Sequence, residues 1–96
     1  MTNASRSSAR ATRCDRSSKQ CWSNIERFLA SQGGSLRDVV KIVCYFKDIR
    51  HFPLEIEVRR RLLGAGPYPV ATVVQVANLG LDSLLVEIDA TAVLGS

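Results

Sequence analysis

The stretch LLVEIDATAV, from Leu84 to Val93, decides how the rest of the chain is read. In an extended backbone successive side chains point to opposite sides. Leu84, Val86, Ile88, Ala90 and Ala92 therefore share one face, and Leu85, Glu87, Asp89, Thr91 and Val93 share the other. The first set is apolar throughout and suits a sheet face lying under helices. The second mixes apolar with acidic groups, which fits neither a core nor a face open to water. An interface between subunits reconciles the two.

Working back from this strand, the turn-like run Asn78-Leu79-Gly80-Leu81-Asp82-Ser83 separates it from another β-rich segment, about Val70 to Ala77. Gly64-Ala65-Gly66-Pro67 closes a helix that Pro53 opens, proline being tolerated in a first turn where its missing N–H has no partner to lose. Leu54, Val58 and Leu62 give that helix an apolar line at four-residue spacing. The run Arg59-Arg60-Arg61 reads as a solvated face. Val39 to Phe46 (VVKIVCYF) is short and dense in β-branched and aromatic residues, as a strand should be, with Val40, Ile42, Cys44 and Phe46 on one side and Lys41, Val43, Tyr45 and Lys47 on the other. From about Ser17 to Ser31 the apolar residues Cys21, Trp22, Ile25, Phe28 and Leu29 recur at helical spacing. Ser17 or Ser18 is the expected N-cap, and Gln32-Gly33-Gly34 the stop. The order helix, strand, helix, strand, strand predicts an α+β layer with two helices on one face of a sheet.

A chain of 96 residues is one domain at most, since a smaller core buries too little apolar surface to fold. Its net charge of +4 sits in the first 20 residues, which hold five Lys/Arg and one Asp. The remaining residues carry equal numbers of each sign and offer no field to attract nucleic acid. Residues 1–14, rich in Arg and Ser and free of acid, are expected to form a disordered tail ahead of a domain spanning residues 15–96. A transit peptide is the second reading of that tail and a nucleic-acid-binding arm the third. No apolar run approaches the roughly 20 residues needed to cross a bilayer. Cys14, Cys21 and Cys44 are odd in number and lack metal-ligand spacing, which argues against a metal site or a disulfide framework and for a reducing, cytoplasmic setting.

Five stretches, in this order and spacing, resemble the Rid (YjgF-like, RidA) family of reactive-intermediate deaminases. They are Gln20 to Ile25, Gly34 to Lys41, Phe46 to Ile49 followed by Phe52, Pro69 to Ala77, and the closing Leu85 to Val93. The resemblance implies a chorismate-mutase-like fold, with two helices on one face of a mixed sheet, shortened at its N-terminus because the family's first strands have no counterpart. It implies a homotrimer with a small-molecule cleft at each subunit interface and the uncovered sheet faces turned inward. It also implies hydrolysis of enamine and imine acids to 2-keto acids and ammonium, as in 2-iminobutanoate and 2-iminopropanoate deaminases, without a cofactor. Glu87 takes the position of the family's catalytic glutamate. Ala71, Val73 and Ile56 take positions that line the cleft, with Ala71 replacing the arginine that grips the substrate carboxylate and Ile56 replacing an asparagine. The expected activity is therefore weak or absent, with a non-catalytic binding or regulatory trimer as the alternative. Either the trimer is rearranged around the shortened sheet, or the reading frame opens upstream of the true start.

Overall fold

Strand β1, Val39–Phe46, is the axis on which the computed structural model is organised, and the model describes residues 6–80 and 84–94. It is flanked on one side by β2, Val70–Gln75, in parallel and on the other by β3, Val86–Ala92, antiparallel, giving the order β2-β1-β3. Two adjacent parallel strands need a crossover, and helix α2, Phe52–Leu63, supplies it. Helix α1, Arg6–Ser31, packs beside α2 and against β3 on the same face of the sheet. The sequence-based order of elements and the two-helix layer over a mixed sheet hold.

Helix α1 begins earlier than its expected cap. Cys14 and Ser18 are both fully buried, so the inward stripe runs Cys14, Ser18, Trp22, Ile25, Leu29 and starts a turn before Ser18, which is a packing residue and no cap. An ion pair of 3.0 Å between Asp15 and Lys19, four residues apart, supports the same turn. The helix continues N-terminally to Arg6, through most of the segment expected to be a disordered tail; the expectation for residues 1–5 lies outside the described residues. Phe28, expected on the stripe, is 65% exposed. Gly33, at a φ of 81°, ends the helix, and the N–H of Gly34 donates to the carbonyl of Leu29 at 2.7 Å.

The helix-side core is built from Trp22 and Leu29 of α1, Val58 of α2, Ile42, Cys44 and Phe46 of β1, and Val86 of β3. An irregularity in the β1–β3 register between Val39 and Lys41 turns Val39 inward and leaves Val40 exposed, where strict alternation put Val40 inside. On α2 the buried line is rotated from the expected one. Glu55 joins Val58 inside and Leu54 is only half-buried, while Leu62, in the last turn, is 43% exposed.

The rotation has a specific cause. Glu55 is completely buried, and both its oxygens are satisfied: Trp22 Nε1 donates to Oε2 at 3.0 Å, Arg59 Nε donates to the same oxygen at 3.0 Å, and Arg59 Nη2 donates to Oε1. The thiol of Cys44 lies 3.8 Å from Oε1 and 3.7 Å from Arg59 Nη2. Arg59, read from sequence as part of a solvated face, is thus drawn inward with its side chain 11% exposed, and its guanidinium carbon lies 5.9 Å from the centre of the Phe52 ring. Burial works against its charge, yet the hydrogen bonds and charge of Glu55 outweigh that and hold the guanidinium above its ordinary value. Arg61 stays outside, paired with Glu57 at 3.5 Å.

Two predictions follow from this core. Glu55→Ala leaves Arg59 buried without a partner and should lower stability by about 3–5 kcal/mol in chemical denaturation, whereas replacing Glu55 and Arg59 together by leucine should cost much less. Burial pushes the thiol of Cys14 up from 9.0 to about 11 and that of Cys44 to about 12. Because the folded state favours the neutral thiols, their contribution is complete below pH 9.0 and is lost as pH rises toward 11–12, where the unfolded chain ionises first. Denaturation midpoints should therefore fall between pH 8 and pH 10, and at pH 8 a thiol reagent should modify Cys14 and Cys44 only on unfolding.

Candidate functional site

The face of the sheet away from the helices carries the polar chemistry. Residues paired across a ladder share a side, so the register sets its rows: Thr72, Val43 and Asp89 form one, and Val74, Tyr45 and Glu87 the next. Glu87 is exposed and stands directly opposite the half-buried Tyr45. An open cavity of about 380 Å³ lies over this row, and its lining includes Tyr45, Asn78, Leu79, Glu87 and Asp89. Strand alternation positions Glu87, Asp89 and Tyr45, and the turn after β2 brings Asn78 to them.

The other positions that the resemblance singled out lie elsewhere. Ala71 pairs with Ile42 and Val73 with Cys44, both on the helix side of β1, so Ala71 and Val73 occupy the helix-side face of β2. Ala71 is exposed there and Val73 half-buried, while Ile56 is half-buried on α2. Strand β1 stands between β2 and β3, which puts Glu87 and Ala71 two strand spacings apart sideways, roughly 10 Å, and three residues apart along β1, roughly 10 Å more, on opposite sides of the sheet. A single chain brings Glu87 together with Tyr45, Asp89 and Asn78. It does not bring Glu87 together with Ala71, Val73 or Ile56.

Tyr45, Asn78 and Asp89 were absent from the residues picked out by sequence. Alternation already placed Tyr45 on the mixed face of β1, and Glu87 and Asp89 on the mixed face of β3. What alternation lacks is the register that sets Tyr45 opposite Glu87 rather than opposite Thr91. A second cavity, of about 340 Å³, lies between α1 and β3, bounded by Ile25, Phe28, Leu29, Ala92 and Leu94, with Asn24 its main polar group. It has no titratable group to offer. Among the described residues no group of three or more His, Cys, Asp or Glu side chains is placed to hold a metal ion, and no helix is long and apolar enough to cross a membrane.

Two helices over a mixed sheet are also what comparison with known proteins returns. The model of the Endoribonuclease L-PSP family matches residues 5–94. A RutC family protein of Pyrococcus horikoshii is 36% identical over 74 residues, 77% of this chain and 57% of that protein. The solved structure of RidA from an Antarctic Psychrobacter is 37% identical with a TM-score of 0.71, over 76% of this chain and 58% of that one. Escherichia coli TdcF with bound serine is 28% identical with a TM-score of 0.75, over 81% of this chain and 62% of that one. This chain belongs to the Endoribonuclease L-PSP family, which includes the YjgF and RidA proteins, and it has their chorismate-mutase-like fold. It spans just over half the length of the relatives it matches.

Proposed function

We propose that this chain is a Rid-type protein whose imine-hydrolysing chemistry is impaired, and that it works as a homotrimer in which clefts between subunits hold a small molecule. The observations that carry this reading are an exposed, cavity-lining Glu87 and an uncharged Ala71 at the position where the resemblance expects an arginine. Hydrolysis of an imine needs a base to take a proton as water adds to the C=N carbon, and a carboxylate in a cleft can serve. The proton then passes to nitrogen, the C–N bond breaks, and a ketone and ammonium leave. Glu87 is the group that would accept the proton.

The substrate's own carboxylate also needs a partner. A guanidinium binds it through two parallel hydrogen bonds, and alanine binds it through none. Because Glu87 and Ala71 lie on opposite faces, a cleft containing both requires Glu87 from one protomer and Ala71 from its neighbour. A trimer meets that requirement, and the mixed polar and apolar bare face, which a second copy would cover, supports it. The serine bound to TdcF fits a scaffold that takes small polar metabolites. The reducing cytoplasm is where such a protein with three free thiols belongs.

Purified protein should accelerate 2-iminopropanoate hydrolysis at least about 100-fold less than a full-length RidA, the scale of one lost charged contact. Ala71→Arg, at an exposed position where stability should change by no more than about 0.5 kcal/mol, should recover part of that rate, and Glu87→Gln should remove what remains. A wild-type rate equal to that of RidA would overturn the impairment. Light scattering should report a particle three times the 10.6 kDa chain mass.

A further inference from the structure

The outer margin of β3 is covered unevenly. At one end of the β1–β3 ladder the Lys47 N–H donates to the carbonyl of Leu85 at 3.2 Å, and beyond the other end the Val93 N–H donates to the carbonyl of Asp38 at 2.9 Å. Odd-numbered residues of β3 therefore bond toward β1, and the N–H and C=O groups of Val86, Ile88, Ala90 and Ala92 point away from it. Cys21 of α1 serves the first two of these. Its thiol donates to the Val86 carbonyl at 3.6 Å, and its sulfur accepts from the Ile88 N–H. No described side chain does the same for Ala90 or Ala92.

These two alanines also line the cavity of about 340 Å³ between α1 and β3. Their small side chains leave room there, and the walls, Ile25, Phe28, Leu29 and Leu94, are apolar, with Phe28 and Leu94 open to water. Asn24 is the one polar side chain among the described lining, and its Oδ1 already accepts from Gln20 Nε2 at 2.8 Å and from Arg27 Nη2 at 2.6 Å. The polar groups of an occupant would thus meet the backbone of Ala90 and Ala92. Amide donors and acceptors alternating along a strand, beside an apolar slot, match one chemistry: another extended backbone in which every second side chain is large and apolar.

We propose that the Ala90–Ala92 edge and the groove beside Phe28 accept an extended segment of a different polypeptide, a longer member of this family, which adds to β3 as a fourth strand. The segments of this chain outside the described residues do not fit. Residues 1–5 join α1 at Arg6, which at about 1.5 Å of rise per residue lies roughly 27 Å of helix ahead of Asn24, and five extended residues reach about 18 Å at most. Residues 81–83 precede β3 at its opposite end, and residues 95–96 are glycine and serine. A second copy is matched no better. Its β3 would lay one row of carboxylates beside another, and its β2 offers no apolar side chain larger than valine. Longer members of the family have chain to donate: the match covers 58% of the Psychrobacter RidA structure, so about two fifths of that molecule is built from segments without a counterpart here. The proposed surface is the helix-side margin of β3, apart from the bare face that the trimer covers.

Synthetic peptides of about ten residues, the length of a long strand, tiled across the unmatched part of the Psychrobacter RidA chain, are the probes. The full chain, carrying isotope-labelled alanine, is titrated with each, and amide exchange is followed by NMR. At least one peptide should bind saturably, slow exchange of the Ala90 and Ala92 amides at least about tenfold, and leave the Ala71 amide of β2 unchanged. The same peptide with its alternation scrambled should not bind. Ala92→Pro removes an outward N–H that the β1 ladder does not use, and should weaken binding at least about tenfold. Phe28→Ser, at a side chain already in water, should weaken it several-fold at unchanged melting temperature and serves if the proline variant does not fold.

Failure of every peptide to protect these two amides would overturn the proposal, as would protection centred on β2 or an affinity that both substitutions leave intact. Slow exchange of Ala90 and Ala92 without peptide also overturns it: if it grows with chain concentration the occupant is a second copy, and if it does not the edge is closed within the chain. The trimer is read separately, by light scattering on the chain without peptide, so either result can stand without the other.

Discussion

A carboxylate with no access to water holds the two helices and the central strand in one arrangement. Glu55 sits on α2, receives its hydrogen bonds from Trp22 on α1 and Arg59 on α2, and touches Cys44 on β1. Burying a charge is expensive, and the expense is offset only while every lone pair is met in good geometry. Rotation of α2 about its axis, or a slide of α1 along it, would separate Trp22 from Glu55 and leave charge without a partner. A purely apolar contact tolerates such slippage, because hydrophobic burial has no preferred direction. The network therefore specifies orientation more than it adds net stability, and the face of α2 that meets the sheet follows from it.

Much of this fold is legible in the sequence. The eight-residue β1 and the alternation through β3 announce themselves by β-branched density and period two, and Gly33 by the helix end it permits. The errors come where a long-range partner overrides a local pattern. Ser18 has the chemistry of a cap and sits in the core, because the stripe that matters extends back to Cys14. Leu62 lies on the apolar line of α2 and is half exposed, because it sits in the last turn of the helix, beyond the buried Glu55 and Val58. Arg59 looks like one of three surface arginines; its spacing of four from Glu55 was the available clue, and only the burial of Glu55 gives that clue weight.

The candidate site residues divide in the same way. Glu87 is legible because it sits in a recognisable run, and the structure exposes it beside a cavity. Tyr45 and Asp89 could not be ranked above their neighbours without knowing which residues of β1 and β3 face each other. The separation of Glu87 from Ala71 by a whole strand is likewise a matter of topology, invisible to a comparison of positions along a line. Membership of the family fixes the scaffold. The identity of what the scaffold holds depends on a few side chains in which this chain differs from the resemblance's pattern.

Strand β3 forms one margin of the three-stranded sheet, and a margin of free backbone donors and acceptors recruits other strands unless something discourages them. Negative charge along such a border is a common deterrent, since stacking identical copies would crowd like charges together. Glu87 and Asp89 occupy that border. Edge-to-edge pairing of β3 with its own copy would bring these carboxylates against their equivalents, a repulsion that weighs against open-ended strand addition.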